Sequence, residues 1–159
     1  MVDNSSCKNL HLDRLNYMGD SNIYFVTICT ADKKPYLRDA EIAAVIIDTM
    51  EYRRKCHEII LFCYCIMPDH VHMLLSLCQG YNKSLIDWVS NFKRYASRRV
   101  KISYDIAPLW QKNFYDHIVR KDEALINVAE YIVNNPVRKG IVNKWEEYPY
   151  SKMIDPLPI

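Results

Sequence analysis

The feature that most constrains the fold is a pair of apolar runs with almost nothing between them. Glu58 to Met67 (EIILFCYCIM) and Val71 to Cys78 (VHMLLSLC) are interrupted only around Pro68-Asp69. Both runs carry the β-branched, aromatic and large aliphatic residues that suit a packed, pleated surface. So short a connection joins antiparallel neighbours, because parallel strands need a crossover of a dozen or more residues. Ile23 to Thr30 (IYFVTICT) is a third buried strand by the same criteria. Between the first and second strands, Asp39 is placed to cap a helix to about Cys56, with Ile42, Val45, Ile46, Thr49 and Met50 at helical spacing. Ser84 caps a second helix to about Val100, with Leu85, Trp88, Val89, Phe92 and Tyr95 on its apolar side. Pro108 to Val119 reads as a loop and a short strand. Asp122 then caps a helix that ends near Asn135, since Pro136 disfavours helical geometry in the residue before it. The chain from Gly140 reads as a short turn or helix and then irregular structure. The order βαββα, strand, α predicts an α+β fold: an antiparallel sheet covered by helices on one face, with a ferredoxin-like or RRM-like core.

A chain of 159 residues fits one domain with a core that needs no staples, residues 1–20 or so forming an N-terminal extension. No stretch approaches the roughly 20 apolar residues that span a bilayer, and the N-terminus has no signal-peptide core, so a cytoplasmic protein without membrane contact is expected. The six cysteines (Cys7, Cys29, Cys56, Cys63, Cys65 and Cys78) are then expected as reduced thiols rather than disulfides or a zinc site. Cys63 and Cys65, two apart, share one strand face.

The net charge of +2 hides a concentration. From Lys83 to Lys121 nine Lys and Arg residues face three acids, and the flanking segments are net acidic. Lys93, Arg94, Arg98, Arg99 and Lys101 fall on or just past the second helix. Such a stripe reads either as a solvated helix face or as a surface for nucleic-acid phosphates.

Two further clusters can carry chemistry. His70-Val71-His72 places two imidazoles on one strand face and Val71 on the other. The pair reads as polar residues facing solvent, or as two ligands of one divalent metal. In Tyr131-Ile132-Val133-Asn134-Asn135-Pro136, Tyr131 and Asn135 lie one helical turn apart. The bland reading is an amphipathic helix with an Asn stop signal. The chemical one is an Asn that completes the metal site, with the Tyr hydroxyl beside whatever the metal holds, able to attack a phosphorus and form a covalent ester. Tyr115 is a rival nucleophile because Asp116 and His117 follow it, but it lacks a polar partner one helical turn away.

Met67 to Leu74 (MPDHVHML) resembles the histidine-hydrophobe-histidine (HUH) motif of single-tyrosine transposases. Leu109 to Arg120 (LWQKNFYDHIVR) and Tyr131 to Gly140 (YIVNNPVRKG) resemble the C-terminal blocks of REP-associated tyrosine transposases. The resemblance runs from about Tyr24 to Ser151. It departs at Val133, where many members carry a second tyrosine. It implies an HUH endonuclease palm in which His70, His72 and Asn135 bind Mg²⁺ or Mn²⁺ and Tyr131 is the nucleophile. It also implies single-stranded DNA beside a hairpin as substrate, a 5′-phosphotyrosine link with a free 3′-hydroxyl, and a monomer or homodimer at the nucleoid. Tyr115, Asp116 and His117 are expected to support the tyrosine helix or the DNA, or to pack. The alternatives are a non-catalytic hairpin-DNA-binding module, or a metal phosphoesterase that uses activated water.

Overall fold

The computed structural model describes residues 22–120 and 124–159. Five strands, β1 (Ile23–Cys29), β2 (Ile59–Met67), β3 (His70–Leu77), β4 (Tyr115–Val119) and β5 (Ser151–Met153), form one sheet in the order β4-β1-β3-β2-β5. Every pairing is antiparallel. The first four strands have the ferredoxin-like order expected from sequence, and the fold is α+β. β5 was not expected; its three residues extend the β2 edge, too short a segment for alternation to register.

The β2–β3 hairpin is as tight as the sequence implies, with Met67 directly opposite His70. The end of β1 fixes its turn: Thr30 donates to the Asp69 carbonyl from both its backbone N–H (2.9 Å) and its hydroxyl (3.0 Å). The Leu37 N–H donates to the Pro68 carbonyl at 3.0 Å. These bonds hold the strand start that carries His70.

A β-bulge between Leu61 and Cys63 interrupts β2. One extra residue reverses the alternation of everything after it. Ile59, Leu61, Tyr64 and Ile66 therefore enter one core, while Phe62, Cys63, Cys65 and Met67 enter another on the opposite face. The Asp155 carboxylate secures the bulge, accepting from the Leu61 N–H at 2.9 Å and from Arg54 Nε at 2.8 Å.

Both faces of the sheet are consequently covered, which corrects the expectation of helices on one face. Helices α1 (Ala40–Lys55) and α2 (Leu85–Tyr104) pack on the face bearing Tyr24, Val26, Ile28, Val71 and Met73. Helix α3 (Leu125–Val133) packs on the face bearing Phe62, Cys63, Cys65 and Leu74. β2 is apolar almost without alternation because both its sides are buried. Asp39 caps α1 by accepting from the Glu41 and Ile42 N–H groups, and Ser84 caps α2 by accepting from the Asp87 N–H. α2 runs four residues beyond Val100, to an Asp105 with φ of 54°. Tyr95 does not join the core; 43% exposed, it stacks on Tyr52.

The expected capping role of Asp122 lies outside the described residues. α3 stops at Val133, and Pro136 does not merely end it: the proline sits in the first turn of a second short helix, α4 (Asn135–Arg138). A proline lacks only an N–H that a first turn would leave unpaired anyway. Tyr131 and Asn135 thus lie on consecutive helices rather than on one. Among the described residues no helix is long and apolar enough to cross a membrane. The five described cysteines are free thiols; burial pushes Cys63 up to about 12 and Cys65 up to about 11, so both stay protonated packing groups.

Candidate active site

β3 places His70 and His72 on the α3 face, while Val71 is fully buried in the core beneath α1 and α2. The two imidazole rings lie 4.5 Å apart between centroids. Cys29 and Met67 flank His70 across the sheet; Thr27 and Cys65 flank His72. Each histidine is held at Nδ1. Asp69 Oδ1 lies 2.7 Å from His70 Nδ1, and Thr27 Oγ1 lies 2.8 Å from His72 Nδ1. The bond to His70 holds the Asp69 carboxyl below its usual range; an ionised carboxylate only accepts, so Nδ1 of His70 carries the proton. His70 Nε2 lies 3.1 Å from the Asn135 side-chain amide. Burial, reinforced by His70 and by the Arg138 cation, pulls His72 down to about 3, so it is neutral through the physiological range.

Asn135 is itself buried, at 4% exposure. Its amide nitrogen faces His70 Nε2, and a half-turn of the amide presents its oxygen instead. Two imidazoles anchored at Nδ1, with an amide oxygen beside them, are a donor set that fits one divalent cation, and the Nδ1 partners are the usual outer-shell arrangement of such ligands. Among the described residues no group of three His, Cys, Asp or Glu side chains gathers to hold a metal.

Tyr131 borders this cluster and is 52% exposed. Its ring meets Phe25 edge-on at 6.2 Å, and Phe25 meets His72 at 5.2 Å. The strand register puts Tyr115 on the rung of Thr27 and His72, so Tyr115 and His117 share the histidine face. Asp116 pairs with Val26 and points to the opposite face. Sequence reasoning missed Thr27, Asp69, Phe25 and Arg138. Asp69 directly precedes His70 and Arg138 follows Asn135 by three, so both were visible as neighbours; Thr27 and Phe25 join the site only through the pairing of β1 with β3.

The basic residues do not converge on the histidines, because α2 lies across the sheet from them. Lys93 is committed to the chain, its ammonium donating to the carbonyls of Gln111 (2.6 Å), Lys112 (3.2 Å) and Asn113 (3.4 Å). Arg99 turns toward Asp48 and the Tyr95 ring. Arg94, Arg98 and Lys101 line a groove of about 480 Å³ with Pro108, Trp110 and Gln111. Its far wall reaches the histidine end of the sheet, where Gln111 N–H donates to the carbonyl of Cys29, the residue opposite His70. A larger concavity of about 1090 Å³ lies at the other end of β2 and β3 and includes none of these residues.

Comparison with known proteins gives the family. Residues 20–135 match the IS200-like transposase family, and the chain belongs to it. A Haemophilus influenzae protein assigned as a REP-associated tyrosine transposase is 30% identical over 152 residues, covering 86% of this chain and 84% of that one. The Escherichia coli REP-associated tyrosine transposase is 24% identical over 86 residues, 54% of this chain and 49% of that one. In structure, a REP-associated tyrosine transposase bound to a REP hairpin superposes with a TM-score of 0.64 at 20% identity, covering 85% of this chain and 78% of that one. A Deinococcus radiodurans transposase structure gives 0.54 at 20% identity, with coverages of 72% and 92%. The protein is a transposase of the REP-associated tyrosine type.

Proposed function

We propose that this transposase nicks and rejoins single-stranded DNA beside a hairpin, with Tyr131 as nucleophile. The observation that carries the reading is the anchoring of His70 and His72 at Nδ1 with Asn135 on His70 Nε2, next to an exposed tyrosine. His70, His72 and Asn135 would hold Mg²⁺ or Mn²⁺, which when bound supplies charge neutralisation at a phosphate oxygen. Asp69 and Thr27 keep both histidine Nδ1 atoms engaged, so that Nε2 is the atom that faces a ligand. The Tyr131 hydroxyl oxygen bonds to phosphorus as the P–O3′ bond breaks. The proton leaving Tyr131 is balanced by the one taken up on the departing 3′-oxygen, leaving a 5′-phosphotyrosine and a 3′-hydroxyl. Because one phosphoester replaces another, a 3′-hydroxyl can reverse the step and rejoin the strand without a nucleotide cofactor. Arg94, Arg98 and Lys101 would hold the backbone of the hairpin, giving salt-dependent affinity without sequence reading. The single strand would continue around the Gln111 loop to the histidine face.

The test is covalent trapping: labelled single-stranded hairpin DNA from the flanks of the gene, Mn²⁺, and a denaturing gel. A metal-dependent adduct that is lost in Tyr131→Phe supports the reading. An adduct lost in Tyr115→Phe but kept in Tyr131→Phe moves the nucleophile to β4. Cleavage without an adduct identifies a phosphoesterase, and binding without either identifies a non-catalytic hairpin module.

A further inference from the structure

Arg138 has no part in the chemistry above, yet it lies against the nucleophile. Its guanidinium carbon is 3.8 Å from the centroid of the Tyr131 ring, and its Nη1 donates to the Tyr131 carbonyl at 2.6 Å. The second contact arises from the break between α3 and α4. The last carbonyls of α3 run out of helical N–H donors at the break, and two of them take donors from elsewhere in the chain. Glu130 accepts from the Asn134 N–H, Tyr131 accepts from Arg138, and Val133 accepts from the Ser151 hydroxyl at 2.9 Å. Pro136 sits in the first turn of α4, the short helix that carries Arg138 back over Tyr131.

A capped carbonyl does not need a guanidinium on the ring as well. A planar guanidinium that stacks by its face keeps its N–H groups in the perpendicular direction, along its edge. It has five such donors and the carbonyl takes one. Both residues are exposed, so the remaining edge is open to a ligand.

The geometry points to Arg138 as a catalytic clamp: its face fixes the Tyr131 ring, while its edge binds the phosphate that the Tyr131 hydroxyl attacks. One rigid group would thereby set the distance between nucleophile and phosphorus and offset charge on the phosphate oxygens as the new bond forms. This inference rests on the reading of Tyr131 as nucleophile. It adds a specificity for phosphodiesters that can present an oxygen beside the ring, as an unpaired flexible strand does.

The experiment separates the two claims. Single-turnover adduct formation is measured at saturating single-stranded DNA for wild type, Arg138→Lys and Arg138→Met, and DNA affinity is measured for the same variants in a Tyr131→Phe background. The expected result for Arg138→Met is a rate loss on the order of 100-fold with affinity changed by no more than about threefold. Arg138→Lys keeps a cation and a carbonyl donor but cannot stack and fork, so its rate is expected between the two. If Arg138 only caps α3, Arg138→Lys restores the full rate, and the inference fails. The readout that needs no turnover is NMR of arginine-¹⁵N-labelled Tyr131→Phe protein with Mg²⁺. The Arg138 Nε–Hε signal, assigned by its loss in Arg138→Lys, is expected to move saturably as the oligonucleotide is added. A signal unmoved at saturation overturns the clamp. A signal that moves while wild type forms no adduct with any metal keeps the phosphate contact and rejects the strand-transfer reading.

Discussion

If His70, His72 and Asn135 hold a divalent metal as proposed, replacing Thr27 by valine removes a single hydrogen bond behind His72 and should weaken metal binding far more than folding. The hydroxyl lies 2.8 Å from His72 Nδ1, across the β1–β3 pair. Valine keeps the β-branched shape and the strand preference, so the packing against Tyr115 and His72 survives. Without metal, the neutral His72 ring can move its proton to Nε2 and escape part of the loss; stability should fall by about 1 kcal/mol. With a cation on Nε2 that escape closes, and the proton must stay on Nδ1 against a methyl group. A buried donor left unpaired costs about 1–3 kcal/mol, so the metal-bound form carries an added penalty of roughly 1–2 kcal/mol. At 1.4 kcal/mol per tenfold, that lowers affinity by about 5- to 30-fold, close to the roughly 10- to 100-fold range seen when outer-shell partners of metal ligands are lost. The assay is Mn²⁺ titration by electron paramagnetic resonance of the free ion, with urea unfolding of the metal-free protein alongside. Mn²⁺ affinity unchanged in Thr27→Val, with Mn²⁺ binding still abolished by His72→Ala, would refute the argument that the hydroxyl supports the Nδ1–H of a metal-bound His72.

Three other outcomes follow from the same structure. Leu74 is fully buried between β3 and α3, and Leu74→Ala should lower unfolding free energy by about 2–5 kcal/mol in urea titrations. Asp155 is held below the usual carboxylate range first by Arg54 and then by the Leu61 N–H. A depressed folded value means its contribution is present above the unfolded value near 4 and is lost as pH falls through the folded one. Asp155→Asn should therefore flatten the acid limb of stability below about pH 4 and, because Arg54 is 34% exposed, cost only about 1 kcal/mol at neutral pH. Arg94→Gln, Arg98→Gln and Lys101→Gln combined should reduce the slope of log affinity for hairpin DNA against log salt by about 2–3, measured by fluorescence anisotropy. An unchanged slope would remove the α2 groove from the DNA path.

The sequence by itself determined the local elements and the two chemical motifs. Alternation put His70 and His72 on one side with Val71 opposite, because a two-residue period is a property of any extended chain. Asp39 and Ser84 capped their helices because a side-chain oxygen before an amphipathic run satisfies N–H groups wherever that run lies. Proximity between distant segments was decided only in three dimensions. The bulge at Phe62 reverses the faces of β2, and a continuous apolar run conceals such a reversal. That reversal creates the second core on which α3 lies, so the helix carrying Tyr131 covers the histidine side instead of joining α1 and α2. The break at Asn134 sets Asn135 beneath His70 and folds Arg138 over Tyr131, because the capping partners of α3 come from α4 and from Ser151. Thr27 and Asp69 show the same division: one is identified by a register between strands over forty residues apart, the other by an adjacent position whose meaning depends on the turn. A side chain's type and period travel with the chain. Its partner is fixed by packing, which no local pattern encodes.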